Sequence, residues 1–311
     1  MRPLAATAHD RTDSDLTPPK PMTITTPGTV TAQGITLSKG TTTNTDGIAI
    51  GSTALLVNTT GVQNNAFGMN ALSSNLDGAY NNAFGFDALK NNISGALNNA
   101  FGDEALKANT TGSFNTGFGD SVLRANIAGR YNTAVGLNAL ISGTASNNTA
   151  VGALALRNCT SGSGNIAIGS LTAAEVEAPV FNVTTENNRV AIGSTAVTNA
   201  YVQVAWTVVS DARDKTNLSA IPHGLDFVKQ LKPTAFQFKL NRESEDTNGP
   251  LHYGFLAQDI LALEGPDSVI IDSEDPEKLR YNGESLIPVI VQAIQELTAK
   301  VEALENNRPS S

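Results

Sequence analysis

A serine and a lysine five residues apart, Ser210 and Lys215, are the side chains in this sequence best suited to nucleophilic chemistry. A serine hydroxyl is a weak nucleophile until a base takes its proton, and a lysine amine serves as that base once desolvation or positive neighbours favour its neutral form. Arg213 is such a positive neighbour, whereas Asp211 and Asp214 favour the charged amine. Spacing alone does not identify a catalytic pair, because serines and lysines five residues apart are common.

Other polar residues suggest fewer chemical roles. Asn217, or backbone N–H groups near it, is a candidate to hold an oxyanion. His223 lies in a Pro-His-Gly sequence typical of a turn, and the acidic runs at 243–246 and 273–277 are more typical of solvated loops than of metal sites. No other metal-ligand spacing and no phosphate-cradling loop is found, so we expect neither a metal nor a cofactor.

The composition excludes several classes of protein. A net charge of −9 argues against a nucleic-acid-binding surface, and a single cysteine excludes an intrachain disulfide framework. No run of about 18 apolar residues is present to span a bilayer, so no membrane insertion is expected. The first 15 residues lack the apolar core of a secretory signal. We therefore expect a protein made in the cytoplasm.

Charge density changes abruptly near Ser210. Residues 1–209 carry 22 charged side chains, whereas residues 210–311 carry 27 in half the length. Such a shift predicts a domain boundary. The Thr- and Pro-rich residues 1–45 suggest a flexible lead with short extended pieces, which attaches the protein to something larger or is a disordered tail.

A 17-residue repeat fills residues 46–172. The motif Asn-Asn/Thr-Ala-Phe/Val-Gly-x-x-Ala-Leu recurs from residues 64, 81, 98, 132 and 148, with a degenerate copy from residue 115. The steps between its glycines are all 17 except one of 16; these glycines are Gly51, Gly68, Gly85, Gly102, Gly119, Gly136, Gly152 and Gly169. A further repeat-like piece, Arg189–Val197, lies in residues 173–209, which we interpret as a β neck.

This period is too short for two-helix repeats and fits one turn of a β-solenoid. We expect Phe/Val and Leu to point inward, Gly and Asn to form the corners, and equivalent asparagines to stack as ladders. Cys159 is interpreted as a small corner residue. The predicted fold class is a mainly β trimeric stalk followed by an α+β domain that ends in a coiled-coil helix.

The C-terminal residues predict that coiled coil, at about 284–305. Apolar side chains recur there at alternating steps of three and four, which gives a sustained a/d seam. The seam residues are Ile287, Ile290, Ile294, Leu297, Val301 and Leu304. An Ile-rich seam favours trimers or tetramers, although a core helix of a monomer has the same stripe.

Two resemblances add to this interpretation. The repeats resemble the heads of trimeric autotransporter adhesins and segments of phage tail fibres. Residues 210–311 resemble the intramolecular chaperone domain of phage tail fibres and endosialidases, which also occurs in a membrane-released eukaryotic transcription factor. The motifs that carry this second resemblance are Ser210-Asp211-x-Arg213-x-Lys215-x-Asn217, Leu231-Lys232-Pro233, Gly254-Phe255-x-Ala257-Gln258 and the final helix.

The resemblance to the chaperone domain implies a site and a reaction. It implies that the domain trimerises, directs folding of the stalk, and then cuts itself off between Val209 and Ser210, with Ser210 as nucleophile and Lys215 as base. Members of that family often carry a histidine beside the Gly-Phe/Ile-x-Ala-Gln segment. Here Tyr253 takes that place and His252 lies one position further back, where a core or surface histidine is the better interpretation.

The sequence therefore predicts a homotrimeric phage tail fibre located in the virion, bound to the tail or baseplate through its N-terminus and able to meet a host surface receptor. Any peptidase activity would be a single self-cleavage by a Ser–Lys dyad. The alternative is a non-cleaving trimeric adhesin with a permanent C-terminal clamp. A polysaccharide-degrading enzyme is disfavoured because the repeats have few aromatic residues and no paired-carboxylate segment.

Overall fold

A computed structural model of the chain describes residues 30–32, 35–38, 47–171, 179–197, 199–203, 210–239, 242, 244–265 and 268–307. Two compact units make up the chain, Met1–Val197 and Thr198–Ser311. The predicted N-terminal lead, residues 1–45, lies outside the described residues except for two short strands. The predicted domain limits at residues 45, 172 and 209 stay predictions.

The first unit is a β-solenoid, and its repeated turns form one eleven-stranded sheet. Each turn contributes a three-residue strand that pairs in parallel with the equivalent strand of the next turn, so that Asn65 lies opposite Asn82. The first three strands pair antiparallel, and the rest are parallel. The strands are β1 (Val30–Ala32), β2 (Ile35–Ser38), β3 (Ile48–Ile50), β4 (Asn65–Phe67), β5 (Asn82–Phe84), β6 (Asn99–Phe101), β7 (Thr116–Phe118), β8 (Thr133–Val135), β9 (Thr149–Val151), β10 (Ile166–Ile168) and β11 (Val190–Ile192).

A glycine with a positive φ follows each of the strands β3 to β11. Gly68 has a φ of 134°, and a Cβ at this position would lie 2.3 Å from the carbonyl oxygen of Gly85 in the next turn. The backbones of successive turns therefore approach each other more closely than any side chain permits. This close approach explains the 17-residue glycine period of the sequence.

The interior of the solenoid is filled by alanine and leucine. Ala66 and Leu72 are completely buried, and their equivalents are buried in the neighbouring turns. The prediction that Leu points inward is confirmed, but the prediction that Phe and Val do so is wrong. Alternation along a three-residue strand sends only its middle residue inward, so the Phe at its end lies on the outer surface. There Phe67 and Phe84 stack with ring centroids 4.5 Å apart.

Buried asparagines form the predicted ladders. In one column, Asn98 Nδ2 donates to Asn81 Oδ1 at 3.0 Å and to the carbonyl of Gly112 at 2.9 Å. Asn98 Oδ1 in turn accepts from the backbone N–H and the side chain of Asn115. This inner column consists of Asn64, Asn81, Asn98, Asn115, Asn132, Asn148 and Asn165.

A second buried column contains a break. It runs through Asn58, Asn75, Asn92, Asn109 and Asn126, each amide donating to the one before it. The next position is Gly143, which has no side chain to donate, and Asn126 Oδ1 has no hydrogen-bond partner among the described residues. One turn later Cys159 takes the position, buried, with its Sγ 3.3 Å from the carbonyl oxygen of Gly162.

The second unit is a small α+β domain that ends in a helix, which confirms the predicted order of a mainly β solenoid followed by an α+β domain. Its core is an apolar cluster of Phe227, Ile260, Ile270, Ile271, Leu286 and Val289. Its elements are a 3₁₀ turn (Ala212–Asp214), α1 (Leu225–Val228), β12 (Thr234–Lys239), β13 (Thr247–Gly254), α2 (Ala257–Glu264), β14 (Ile271–Asp272), β15 (Arg280–Tyr281) and α3 (Gly283–Asn306).

Helix α3 is apolar on two faces. One face, with Leu286, Val289 and Ala293, is buried in the core of the second unit. The predicted a/d seam lies elsewhere on the helix and is exposed, with Ile294 57% and Leu297 50% accessible. The seam is therefore not the face that this helix uses within its own chain. No helix within the described ranges is long and apolar enough to cross a lipid bilayer.

Replacing a buried ladder residue should destabilise the stalk strongly. Asn98→Ala should lower the free energy of unfolding by about 2–4 kcal/mol, because the N–H of Asn115 and the carbonyl of Gly112 lose a buried partner. Urea unfolding of the full chain, followed by circular dichroism, measures this loss.

The neighbouring residue provides a matched control. Asn99 is only half-buried and accepts one hydrogen bond from Asn82 at 2.8 Å, so Asn99→Ala should cost less than about 1 kcal/mol. Equal losses for the two variants would contradict a structural role for the inner column.

Candidate functional site

The predicted nucleophile and base lie together. Lys215 Nζ donates a hydrogen bond of 2.6 Å to Ser210 Oγ. The 3₁₀ turn Ala212–Asp214 folds the chain back between them, closed by the N–H of Asp214 on the carbonyl of Asp211 and the N–H of Lys215 on the carbonyl of Ala212. Both side chains of the pair are exposed in the single chain.

Asp211 and Arg213 form a second pair around the same turn. Asp211 Oδ1 accepts the backbone N–H of Arg213 at 2.9 Å. The Arg213 guanidinium returns to the same carboxylate, with Nε 3.0 Å from Oδ1 and Nη2 2.6 Å from Oδ2. The hydrogen bond from Arg213 holds the pKa of Asp211 below its usual value, and the same bond raises the pKa of Arg213. The positive charge nearest in sequence to Lys215 is thus paired with a carboxylate.

The remaining predicted site residues lie apart from this contact. Asn217 is exposed and has a φ of 54°, so it marks a turn just after the lysine. His252 is half-buried on β13, with its ring centroid 5.8 Å from Phe236 and 5.4 Å from Phe238. These rings of β12 pack against His252, whereas Tyr253, on the opposite face of the strand, is 86% exposed. Val209 lies outside the described residues.

Glu296 on α3 is a residue that the sequence did not identify. Its Oε2 accepts the backbone N–H of Leu225 at 2.9 Å, which ties the exposed-seam helix to the start of α1. That hydrogen bond lowers the pKa of Glu296. A Cβ on Gly224 would lie 2.1 Å from the Glu296 carboxylate, so a larger residue there would displace this carboxylate. The contact joins residues 71 apart and has no local sequence signature.

The comparison with protein families concerns the segment that starts at the serine. Residues 210–270 match the family model described as chaperone of endosialidase. The match covers this segment of the chain alone. The match begins at the Ser210–Lys215 contact and ends before α3, and together with the solenoid it fits a tail fibre with a C-terminal chaperone domain. No curated protein and no solved structure gives a significant match.

In the chaperone domain, the packing of His252 can be tested against its strand neighbour. His252→Ala should lower the stability of this domain by about 1–2 kcal/mol through lost ring contacts, and His252→Phe should restore most of it. Tyr253→Ala removes an exposed ring and should change stability by less than about 0.5 kcal/mol. Thermal unfolding of the full chain measures all three, and a Phe variant as unstable as Ala would contradict a packing role.

Proposed function

We propose that this protein is a homotrimeric phage tail fibre whose C-terminal domain trimerises the chain, directs folding of the stalk, and is released by autocleavage between Val209 and Ser210. The fibre is carried in the virion, attaches to it through the N-terminal segment, and presents the stalk to a host surface receptor. The single observation that carries the proposal is the 2.6 Å contact of Lys215 Nζ with Ser210 Oγ at the first residue of the chaperone match.

The chemistry of the cut follows from these two groups. Neutral Lys215 takes the hydroxyl proton while Ser210 Oγ adds to the carbonyl carbon of residue 209. The C–N bond then breaks, the leaving α-amine of Ser210 receives that proton, and residue 209 becomes an ester on Oγ. Water hydrolyses the ester, which leaves a carboxylate on residue 209 and regenerates the serine hydroxyl.

The state of the single chain argues that the cut waits for assembly. Lys215 Nζ and Ser210 Oγ lie 2.6 Å apart, and catalysis requires Oγ–H to donate to a neutral amine. Desolvation favours a neutral amine, yet both side chains are exposed in one chain. Coverage of the dyad by neighbouring copies would exclude water and favour the neutral form of the amine.

The exposed seam of α3 supports a trimer. A helix that already buries Leu286, Val289 and Ala293 in its own core gains nothing from six further apolar side chains in water. An a/d seam of isoleucine and leucine is buried when helices of several copies pack together, and this composition favours more than two strands. The seam also lies at the end of the chaperone domain, where it brings three chains together in parallel.

A second candidate is a trimeric adhesin that keeps its C-terminal clamp. The observation that favours it is the exposure of Ser210 and Lys215, since a solvated ammonium ion does not act as a base. In this case the same seam trimerises the chain, and the Ser–Lys contact is only a surface hydrogen bond.

Cleavage distinguishes the two candidates. The wild-type chain of 32.4 kDa should yield fragments of roughly 22 and 11 kDa on denaturing gels, in proportion to the residues before and after the cut. Ser210→Ala and Lys215→Ala should remain whole at 32.4 kDa, because one lacks the nucleophile and the other lacks the base. Intact mass spectrometry locates the new termini.

Lys215→Arg is the sharper control, because arginine keeps the charge and the donor but cannot act as a base at neutral pH. A Lys215→Arg chain that cuts itself at the wild-type rate would contradict the dyad. Whole chains in every case would leave the non-cleaving clamp.

The oligomeric state tests the seam separately from cleavage. In the Ser210→Ala background, light scattering should give a mass of about 97 kDa, three times that of the chain. Ile294→Asp should dissociate the trimer, because three carboxylates would meet at the buried seam. Gln295→Asp places the same residue beside the seam on an exposed position and should leave the mass unchanged. Loss of the trimer in both variants, or in neither, would contradict this assignment.

A further inference from the structure

The turn that joins Ser210 to Lys215 has little to hold it in place. It is a single 3₁₀ turn of three residues, and none of them is buried. Such short turns have poor hydrogen-bond geometry, and an isolated turn in water gains less from its bonds than it loses in backbone entropy. Side-chain hydrogen bonds must therefore stabilise the turn, because packing does not.

Asp211 and Arg213 stabilise the turn through contacts with both oxygens of the Asp211 carboxylate. Asp211 Oδ1 caps the turn by accepting the backbone N–H of Arg213, as Asp does at helix starts. The guanidinium of Arg213 then closes on both oxygens through Nε and Nη2. A paired, fork-shaped contact of this kind fixes orientation as well as distance. We refer to these two residues as the Asp211–Arg213 clasp.

We propose that the Asp211–Arg213 clasp positions the Ser210–Lys215 dyad, so that Asp211 and Arg213 serve the proposed autocleavage by holding the turn rather than by changing the charge on Lys215. The inference rests on the proposed function. Its geometric basis is the position of Arg213, whose N–H is capped by Asp211, in the middle of the segment between Ser210 and Lys215. The shape of the turn therefore sets where the side chains of Ser210 and Lys215 lie. By holding the turn, the clasp preserves the 2.6 Å contact between Lys215 Nζ and Ser210 Oγ.

An electrostatic role for Arg213 makes a different prediction. A guanidinium that acts on Lys215 by repulsion should face it, but here the guanidinium is bound to Asp211 and its charge is compensated there. Removing Arg213 should make the lysine amine harder to deprotonate under either role, because a positive charge is lost and the Asp211 carboxylate is left uncompensated. The two roles separate in the maximal rate of cleavage at high pH, which falls only when the lysine is misplaced.

The experiment measures first-order cleavage rates of the full chain between pH 6 and 10 for wild type, Ser210→Ala, Asp211→Ala, Asp211→Asn and Arg213→Ala. Asp211→Ala should be slowed about 10- to 100-fold, as expected when a reacting group is misplaced by about an ångström. Asp211→Asn retains the cap but not the ion pair, and should recover at least part of that loss. Arg213→Ala should have a maximal rate below that of wild type, whatever the pH at which it is half-maximal.

Asp214→Ala is the matched control, because it removes a carboxylate from the same turn but not from the clasp, and it should not slow cleavage. Two results would overturn the proposal. One is a wild-type rate for Asp211→Ala. The other is an Arg213→Ala chain whose maximal rate is normal and whose half-maximal pH is higher, since loss of a nearby positive charge would stabilise the ammonium.

An uncut wild-type chain would refute the proposed function, and a second readout then tests the clasp alone. A fluorophosphonate probe that labels Ser210 reports the nucleophilicity of its hydroxyl without peptide cleavage. Labelling of wild type at Ser210 that falls at least 10-fold in Asp211→Ala would support the clasp. Equal labelling, or none in wild type, would overturn it.

Discussion

The hydrogen bonds that buried asparagine side chains make from one turn of the solenoid to the next are the interaction on which the stalk depends. An amide buried without partners costs more than most single packing contacts contribute, so every inner asparagine requires another at the same phase one turn away. Asn81, Asn98 and Asn115 meet this requirement for each other. The 17-residue period, the corner glycines and the small alanine interior all follow from keeping those amides in line.

Because of this constraint, the ladder hydrogen bonds within each chain join only successive turns. The ladder bonds join residues 17 apart, or 16 apart between Asn132 and Asn148, so one turn can form on the previous one without a long search. Outer apolar residues such as Phe118 and Val135 remain exposed on a single chain. In the proposed trimer, the C-terminal domain would have to provide the number and alignment of chains, and the exposed seam of α3 suits that role.

The sequence predicts the parts of this structure that repeat or lie close together along the chain. Four features can be predicted because every turn repeats the same packing and hydrogen-bonding requirements. They are the 17-residue period, the corner glycines, the inward orientation of Leu72 and the asparagine ladders. The outward orientation of Phe67 cannot be predicted, because a strand of only three residues has one inward position and the sequence does not say which residue takes it. Likewise Glu296 reaches Leu225 across 71 residues with no local pattern. Ser210 and Lys215 can be recognised as a pair in the sequence. The pairing of Arg213 with Asp211 cannot, because it depends on the side-chain rotamer of Arg213.

The gap in the second asparagine column at Gly143 has a mechanical consequence. A pull along the solenoid axis loads all its turns in series, so the weakest junction between turns sets the breaking force. The junction between Asn126 and Gly143 lacks one of the two buried amide links that the preceding turns share, although Asn132 and Asn148 still bridge it. Under tension the stalk should part at this junction or beyond it, where the second column is missing, and the turns on its N-terminal side should stay together as one intact block.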